Sequence, residues 1–205
     1  MPKSYNDVAG KSVERIAALS DGLFAIAMTL LVLELHAPAV EAIHSEGDLW
    51  AALQHLAPKF LVYLMSFMTL GIFWVGQQTQ LNLFERADRH LTWIQIAFLA
   101  AASVMPFSTA LLGEFIGFRL ALGLYWLNIV LLGATLLGSW LYARRAGLLK
   151  EGAGDLHDAV LRRILVAQSL YAVGAALCFI SPLWSIAFIM AVQLNYALGW
   201  PLQRL

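Results

Sequence analysis

Charge is scarce in this chain. Asp, Glu, Lys and Arg make up 13% of its 205 residues, with thirteen acids against thirteen bases. A soluble domain carries about 25%. The balanced charge leaves no basic excess for a phosphate backbone, which excludes nucleic acid as a partner. One cysteine, Cys178, rules out an intrachain disulfide. It lies in an apolar run and reads as a small buried residue. Nucleophile motifs, phosphate loops and dinucleotide fingerprints are missing, so the chain reads as no enzyme, and no cofactor is called for. A cleavable leader is not expected, because the first 14 residues are polar and the apolar run after them ends in Leu33-Glu34-Leu35 without small residues. No segment repeats another, so the paired interrupted helices of an inverted-repeat transporter are not visible.

Apolar residues are abundant, at 60% of the chain and a mean hydropathy of +0.73. About 20 apolar residues span the hydrocarbon core, and six stretches are long enough: 13–35, 56–80, 91–112, 119–143, 161–180 and 183–203. The expected fold is an all-α integral membrane protein, a single domain over 1–205 with six transmembrane helices. Ser181-Pro182 separates the last two spans and predicts a tight hairpin, because proline starts a helix better than it continues one. Six spans put Lys3, Lys11, Arg15, Arg86, Arg89, Arg144, Arg145, Lys150, Arg162, Arg163 and Arg204 on one side and only Lys59 and Arg119 on the other. The basic side is cytoplasmic by the positive-inside rule. That puts both termini inside, in a multi-pass protein of the cell membrane.

The first span is the most unusual. Arg15, Ser20 and Asp21 stand near its inner end and Glu34 at its outer end. Ionisable residues in a span normally face protein or water. Arg15 and Asp21 are six residues apart, about 120° around a helix, so they do not pair with each other. Ser20 and Asp21 read as an interhelix latch. With Ile26 as origin, Thr29, Leu30 and Leu33 fall on one stripe, which Leu19, Gly22 and Arg15 extend inward. By periodicity alone such a stripe is packing surface. Asp21 and Glu34 also admit a second class of function, a proton- or ion-coupled secondary transporter.

Other polar residues carry weaker signals. His36, His44 and His55 fall among Glu41, Glu46 and Asp48 without metal-ligand spacing and read as a solvated outer loop. His90 and His157, beside Asp88 and Asp158, read as ordinary surface. Glu114 and Arg119 flank the turn between spans three and four and are expected to pair. Trp50, Trp74, Trp93, Trp126, Trp140, Trp184 and Trp200 mostly stand near span ends, as interfacial anchors do.

The first span resembles the signature of the prokaryotic relatives of the endosomal and lysosomal potassium channel, transmembrane protein 175. Arg15, Ser20, Asp21, Ala25, Ile26, Thr29, Leu30 and Leu31 stand in matching places, with Leu19 where the family has phenylalanine. In the second span the family shows a tryptophan followed by two histidines; here Trp74 is followed by Gln77 and Gln78. Glutamine still donates and accepts hydrogen bonds but gives no pH-sensitive contact. The resemblance implies a homotetramer in the lipid bilayer, with four first helices lining a central pore for monovalent cations. Potassium ions would be among those that permeate it. It further implies a main constriction at Ile26, further narrow levels at Leu30 and Leu33, a selectivity layer at Thr29, and an interhelix motif of Arg15, Ser20, Asp21, Trp74, Gln77 and Gln78. No Thr-Val-Gly-Tyr-Gly carbonyl filter is present, so a ring of aliphatic side chains that closes by dewetting is the expected gate.

Overall fold

A computed structural model describes residues 11–198. Lys3, Trp200, Arg204 and the end of the sixth span lie outside the described residues. The described residues form an all-helical fold: α1 (Val13–Leu30), α2 (Glu46–Leu83), α3 (Arg89–Ser103), α4 (Met105–Glu114), α5 (Arg119–Arg145), α6 (His157–Ala176) and α7 (Pro182–Leu198). Among the described residues, five helical segments are long and apolar enough to cross a membrane: Val13–Glu34, Glu46–Leu83, Arg89–Glu114, Arg119–Arg145 and Ala153–Phe179. The sixth, Pro182–Leu198, is apolar but shorter over the described residues.

The largest differences from expectation are in the third and second spans. The third span breaks at Val104, where α3 ends and α4 begins with Pro106 in its first turn. A proline cannot donate the backbone bond that a continuous helix needs there. The second span starts ten residues early, at Glu46. Ser45 caps it by accepting from the Asp48 amide at 3.1 Å, and Asp48 accepts from the His44 amide at 3.1 Å. His55 therefore lies on α2 and not in a loop. At 38 residues, α2 is roughly 57 Å long, well beyond a hydrocarbon core of about 30 Å.

The basic loops meet at one end of the bundle. The Glu85 amide donates to Leu148 O at 2.8 Å, the Lys150 amide to Leu83 O at 2.9 Å, and the Ala87 amide to Lys11 O at 3.2 Å. These bonds join the α2–α3 and α5–α6 connections to the start of the described chain, as an up-and-down six-span topology requires. Gly147, at φ +64, ends α5: its amide donates to Arg144 O and that of Leu148 to Ala143 O. This is the paired bonding that a left-handed glycine permits at a helix end. Trp140 is not an interfacial anchor; it is fully buried, stacked on Phe84, with its indole N–H 3.0 Å from His157 Nδ1. His157 is thus part of this packing. Asp88 caps α3 through the Leu91 amide at 2.8 Å and accepts from Tyr142 Oη at 2.6 Å. Neither is ordinary surface.

At the opposite end, Glu114 pairs with Lys59 of α2, not with Arg119. Arg119 donates to Phe179 O at 3.2 Å and stands over the Phe179 ring, tying the start of α5 to the α6–α7 hairpin. That hairpin turns at Ser181-Pro182 as expected. Ser185 Oγ, at the start of α7, donates to Gly174 O at 2.5 Å. A Cβ on Gly174 would lie 2.7 Å from Ile189 Cγ1 and 3.1 Å from Phe188 Cδ1. Small residues let membrane helices approach this closely. Gly174→Ala is expected to cost about 1–3 kcal/mol by overpacking. A fall in the Tm of the detergent-solubilised protein checks it; an unchanged Tm would mean that α6 and α7 separate freely.

Candidate pore helix and its polar contacts

α1 is held by one face and bare on the other. Ile16, Ser20, Phe24 and Ala27 are buried, and Leu31, in the 3-10 turn that follows, is fully buried. The Phe24 ring lies 5.9 Å from that of Phe98 on α3, which lies 6.5 Å from Phe73 on α2. The opposite face shows Leu19, Ile26, Leu30 and Leu33, with Ile26 61% and Leu33 64% exposed. The predicted stripe is thus the face that a single chain leaves uncovered. The α-helix stops at Leu30, and Leu31–Glu34 is a 3-10 turn. Residues three apart eclipse in that geometry, so Leu33 stays above Leu30. Thr29 is exposed on this face, and its hydroxyl donates to Ile26 O at 2.8 Å. Its oxygen remains free to accept.

Ser20 and Asp21 make separate contacts with α2. Asp21 Oδ1 accepts from Trp74 Nε1 at 2.8 Å and from Gln78 Nε2 at 2.7 Å. Ser20 Oγ donates to Gln77 Oε1. Gln77 Nε2 donates to Gln95 Oε1 at 2.7 Å, and Gln95 Nε2 to Ser139 Oγ at 2.6 Å. All four side chains are at most 1% exposed. One polar chain therefore links α1, α2, α3 and α5. Hydrogen bonds of this kind between helices hold membrane bundles together. Arg15 is not brought to Asp21. It lies on the rim of a cleft between α1 and α3 with Lys11, Thr92 and Gln95, and makes no ion pair among the described residues. Glu34 lies in the 3-10 turn, half-buried.

Gln95 and Ser139 were not anticipated, nor was a second buried network. Thr109 Oγ1 donates to Ser66 Oγ at 2.8 Å, Tyr125 Oη bonds Thr69 Oγ1 at 3.0 Å, and Gln193 Nε2 donates to Thr69 Oγ1 at 2.5 Å. Glutamines inside apolar spans are the signal that points to such networks. Among the described residues no group of three His, Cys, Asp or Glu side chains could hold a metal ion.

Comparison with known proteins gives consistent matches. The family model described as the endosomal/lysosomal potassium channel TMEM175 matches residues 15–106, the part that contains α1, α2 and the polar chain as far as Gln95. A potassium channel of Chamaesiphon minutus is 32% identical over 90% of this chain and 93% of its own. One of Streptomyces collinus is 31% identical over 82% of both. The crystal structure of a lysosomal potassium-selective channel TMEM175 homolog from Chamaesiphon minutus superposes with a TM-score of 0.78, covering 91% of this chain and 97% of that one, at 29% identity. The family is one of ion channels, and this chain belongs to it: it is a prokaryotic-type member of the TMEM175 family.

Proposed function

We propose that this protein is a potassium-permeable cation channel, a homotetramer whose central pore is lined by four copies of α1. The observation that carries this reading is the two-sided character of α1. Its Ser20–Asp21 side is hydrogen-bonded to α2, while Ile26, Leu30 and Leu33 face away from the rest of the chain. A groove of about 460 Å³ runs along that stripe, lined by Leu19, Ile26 and Leu30 together with the small residues Ala18, Gly22 and Ala27. Small residues on a membrane helix let a neighbouring backbone come close, which suits the α1 of a second copy. Four isoleucines at one level form a dry ring, and the barrier there is dehydration of the ion. Leu30 and Leu33 add further apolar levels, and Thr29 supplies four hydroxyl oxygens just beyond Ile26. Ser20, Asp21, Trp74, Gln77 and Gln78 set the angle at which α1 meets the axis, and Arg15 stands apart from them at the α1–α3 cleft. With glutamine at 77 and 78, this latch holds no histidine to titrate.

The chain sits in the cell membrane with its basic end, and hence both termini, in the cytoplasm. The coupled-transporter reading needs Asp21 free to exchange protons or ions, but its Oδ1 already holds two donors from α2. The test is purified protein in liposomes. A channel dissipates a potassium gradient without a coupled substrate and runs as a fourfold mass in mild detergent. A monomeric mass that crosslinking in membranes also reports, or flux that requires an exchange partner, contradicts the reading.

A further inference from the structure

Gln80 is 2% and Tyr171 1% exposed, and Gln80 Oε1 and Tyr171 Oη have no hydrogen-bond partner. An unpaired polar atom at this depth is costly unless something else meets it. Both residues line one cavity of about 70 Å³ between α2, α5, α6 and α7, and Arg163 stands at its wall. The space holds roughly five water-sized groups. Arg163 makes no ion pair with a described carboxylate. It also lines a groove of about 480 Å³ along α2, with Phe67, Gly71 and Val75 on its floor and Met28 of α1 and Tyr196 of α7 at its sides. One cation thus stands where a small, mostly apolar cavity holding two unpaired polar atoms adjoins an apolar groove. Arg163 lies six residues into α6, roughly 9 Å from the basic end of the bundle, within reach of the head-group level for a long side chain.

We infer that this crevice binds one anionic phospholipid per subunit, with a hydroxyl-bearing head group such as that of phosphatidylglycerol, drawn from the leaflet at the basic end. Basic pockets between membrane helices on that side hold anionic head groups. The phosphate oxygens accept from Arg163 and from the Tyr171 hydroxyl. A head-group hydroxyl donates to Gln80 Oε1, which a choline head group cannot do. One acyl chain lies along the groove from Val75 to Phe67, eight residues of α2 or roughly 12 Å of helix. The site is separate from the α1 stripe, so its failure would leave the channel reading untouched.

The experiment uses the full chain as it assembles, stripped of lipid in detergent and incubated with phosphatidylglycerol, phosphatidic acid or phosphatidylcholine. Native mass spectrometry counts the lipids retained per subunit. Phosphatidylglycerol is expected to be held best, at one per subunit, and phosphatidylcholine to be lost at detergent levels that spare it. Arg163→Gln should weaken retention about fivefold, the effect of one basic residue beside an anionic surface. Tyr171→Phe should also weaken it while keeping the shape of the core. If Arg163→Gln fails to assemble, Val75→Trp decides, because it fills the groove and leaves Arg163 in place. Equal retention of phosphatidylglycerol and phosphatidylcholine overturns the inference. So does retention that neither Tyr171→Phe nor Val75→Trp changes, or an assembled protein that takes up no lipid because a second copy seals the groove.

Discussion

Ile26→Asn is expected to raise basal potassium flux by about tenfold or more and to weaken discrimination between potassium and sodium. The wild-type barrier at this level is the cost of bringing an ion through four isoleucine side chains. Asparagine keeps a similar length and offers four amides that can replace part of the hydration shell. Each 1.4 kcal/mol removed from a barrier is a factor of ten in rate. Thr29→Val keeps shape and removes a hydroxyl that already donates to Ile26 O. It should leave flux near wild type and change the potassium-to-sodium ratio. The control is Leu127→Asn, an exposed leucine on α5, which should change neither. Radiotracer or fluorescence flux in liposomes reads all three. Raised flux from Leu127→Asn, with none from Ile26→Asn, would move the pore to another helix.

Asp21→Ala should give the second largest effect, lost assembly and with it lost flux. It removes the acceptor of both Trp74 Nε1 and Gln78 Nε2; Asp21 is exposed in the single chain, and where a neighbouring subunit covers it in the proposed tetramer an orphaned donor costs about 1–3 kcal/mol. Asp21→Asn separates charge from geometry. Its amide oxygen can still accept both bonds, so assembly and flux should survive. A transporter that moves a proton on this carboxylate would lose transport in Asp21→Asn while keeping its assembly. Size-exclusion mass and liposome flux, measured on both variants, distinguish the two outcomes.

The spans were legible because a bilayer demands long apolar runs, and little else in a sequence produces them. Their ends were less so. Residues 46–55 of α2 contain Glu46, Asp48 and His55, which hydropathy reads as loop. The start of the helix is set locally, by Ser45 accepting from the Asp48 amide, a contact that hydropathy does not weigh. The exposed stripe of α1 was also legible, because 3.6 residues per turn puts Ile26 and Leu30 on one side in any helix. Long-range partners were not. Glu114 sits five residues from Arg119 yet pairs with Lys59 across the bundle. Gln95 and Ser139 complete a polar chain that begins at Ser20, and only the packing of α3 on α5 brings them together. The opposite lesson comes from Trp140 and His157. Position near a span end suggested an anchor and a surface residue, whereas the turn at Gly147 folds α6 back and buries the pair's contact.

The central claim is that the bare face of α1 lines the ion path, and thiol accessibility tests it most directly. Cys178 is buried and is the chain's single cysteine, so Cys178→Ala gives a clean background. On that background Ile26→Cys and Leu127→Cys are each placed in liposomes and treated with a small cationic, water-soluble thiol reagent. The account predicts that the reagent reaches position 26 and abolishes potassium flux, and leaves flux through the position 127 variant unchanged. Labelling at position 26 without loss of flux, or block only at position 127, would contradict it.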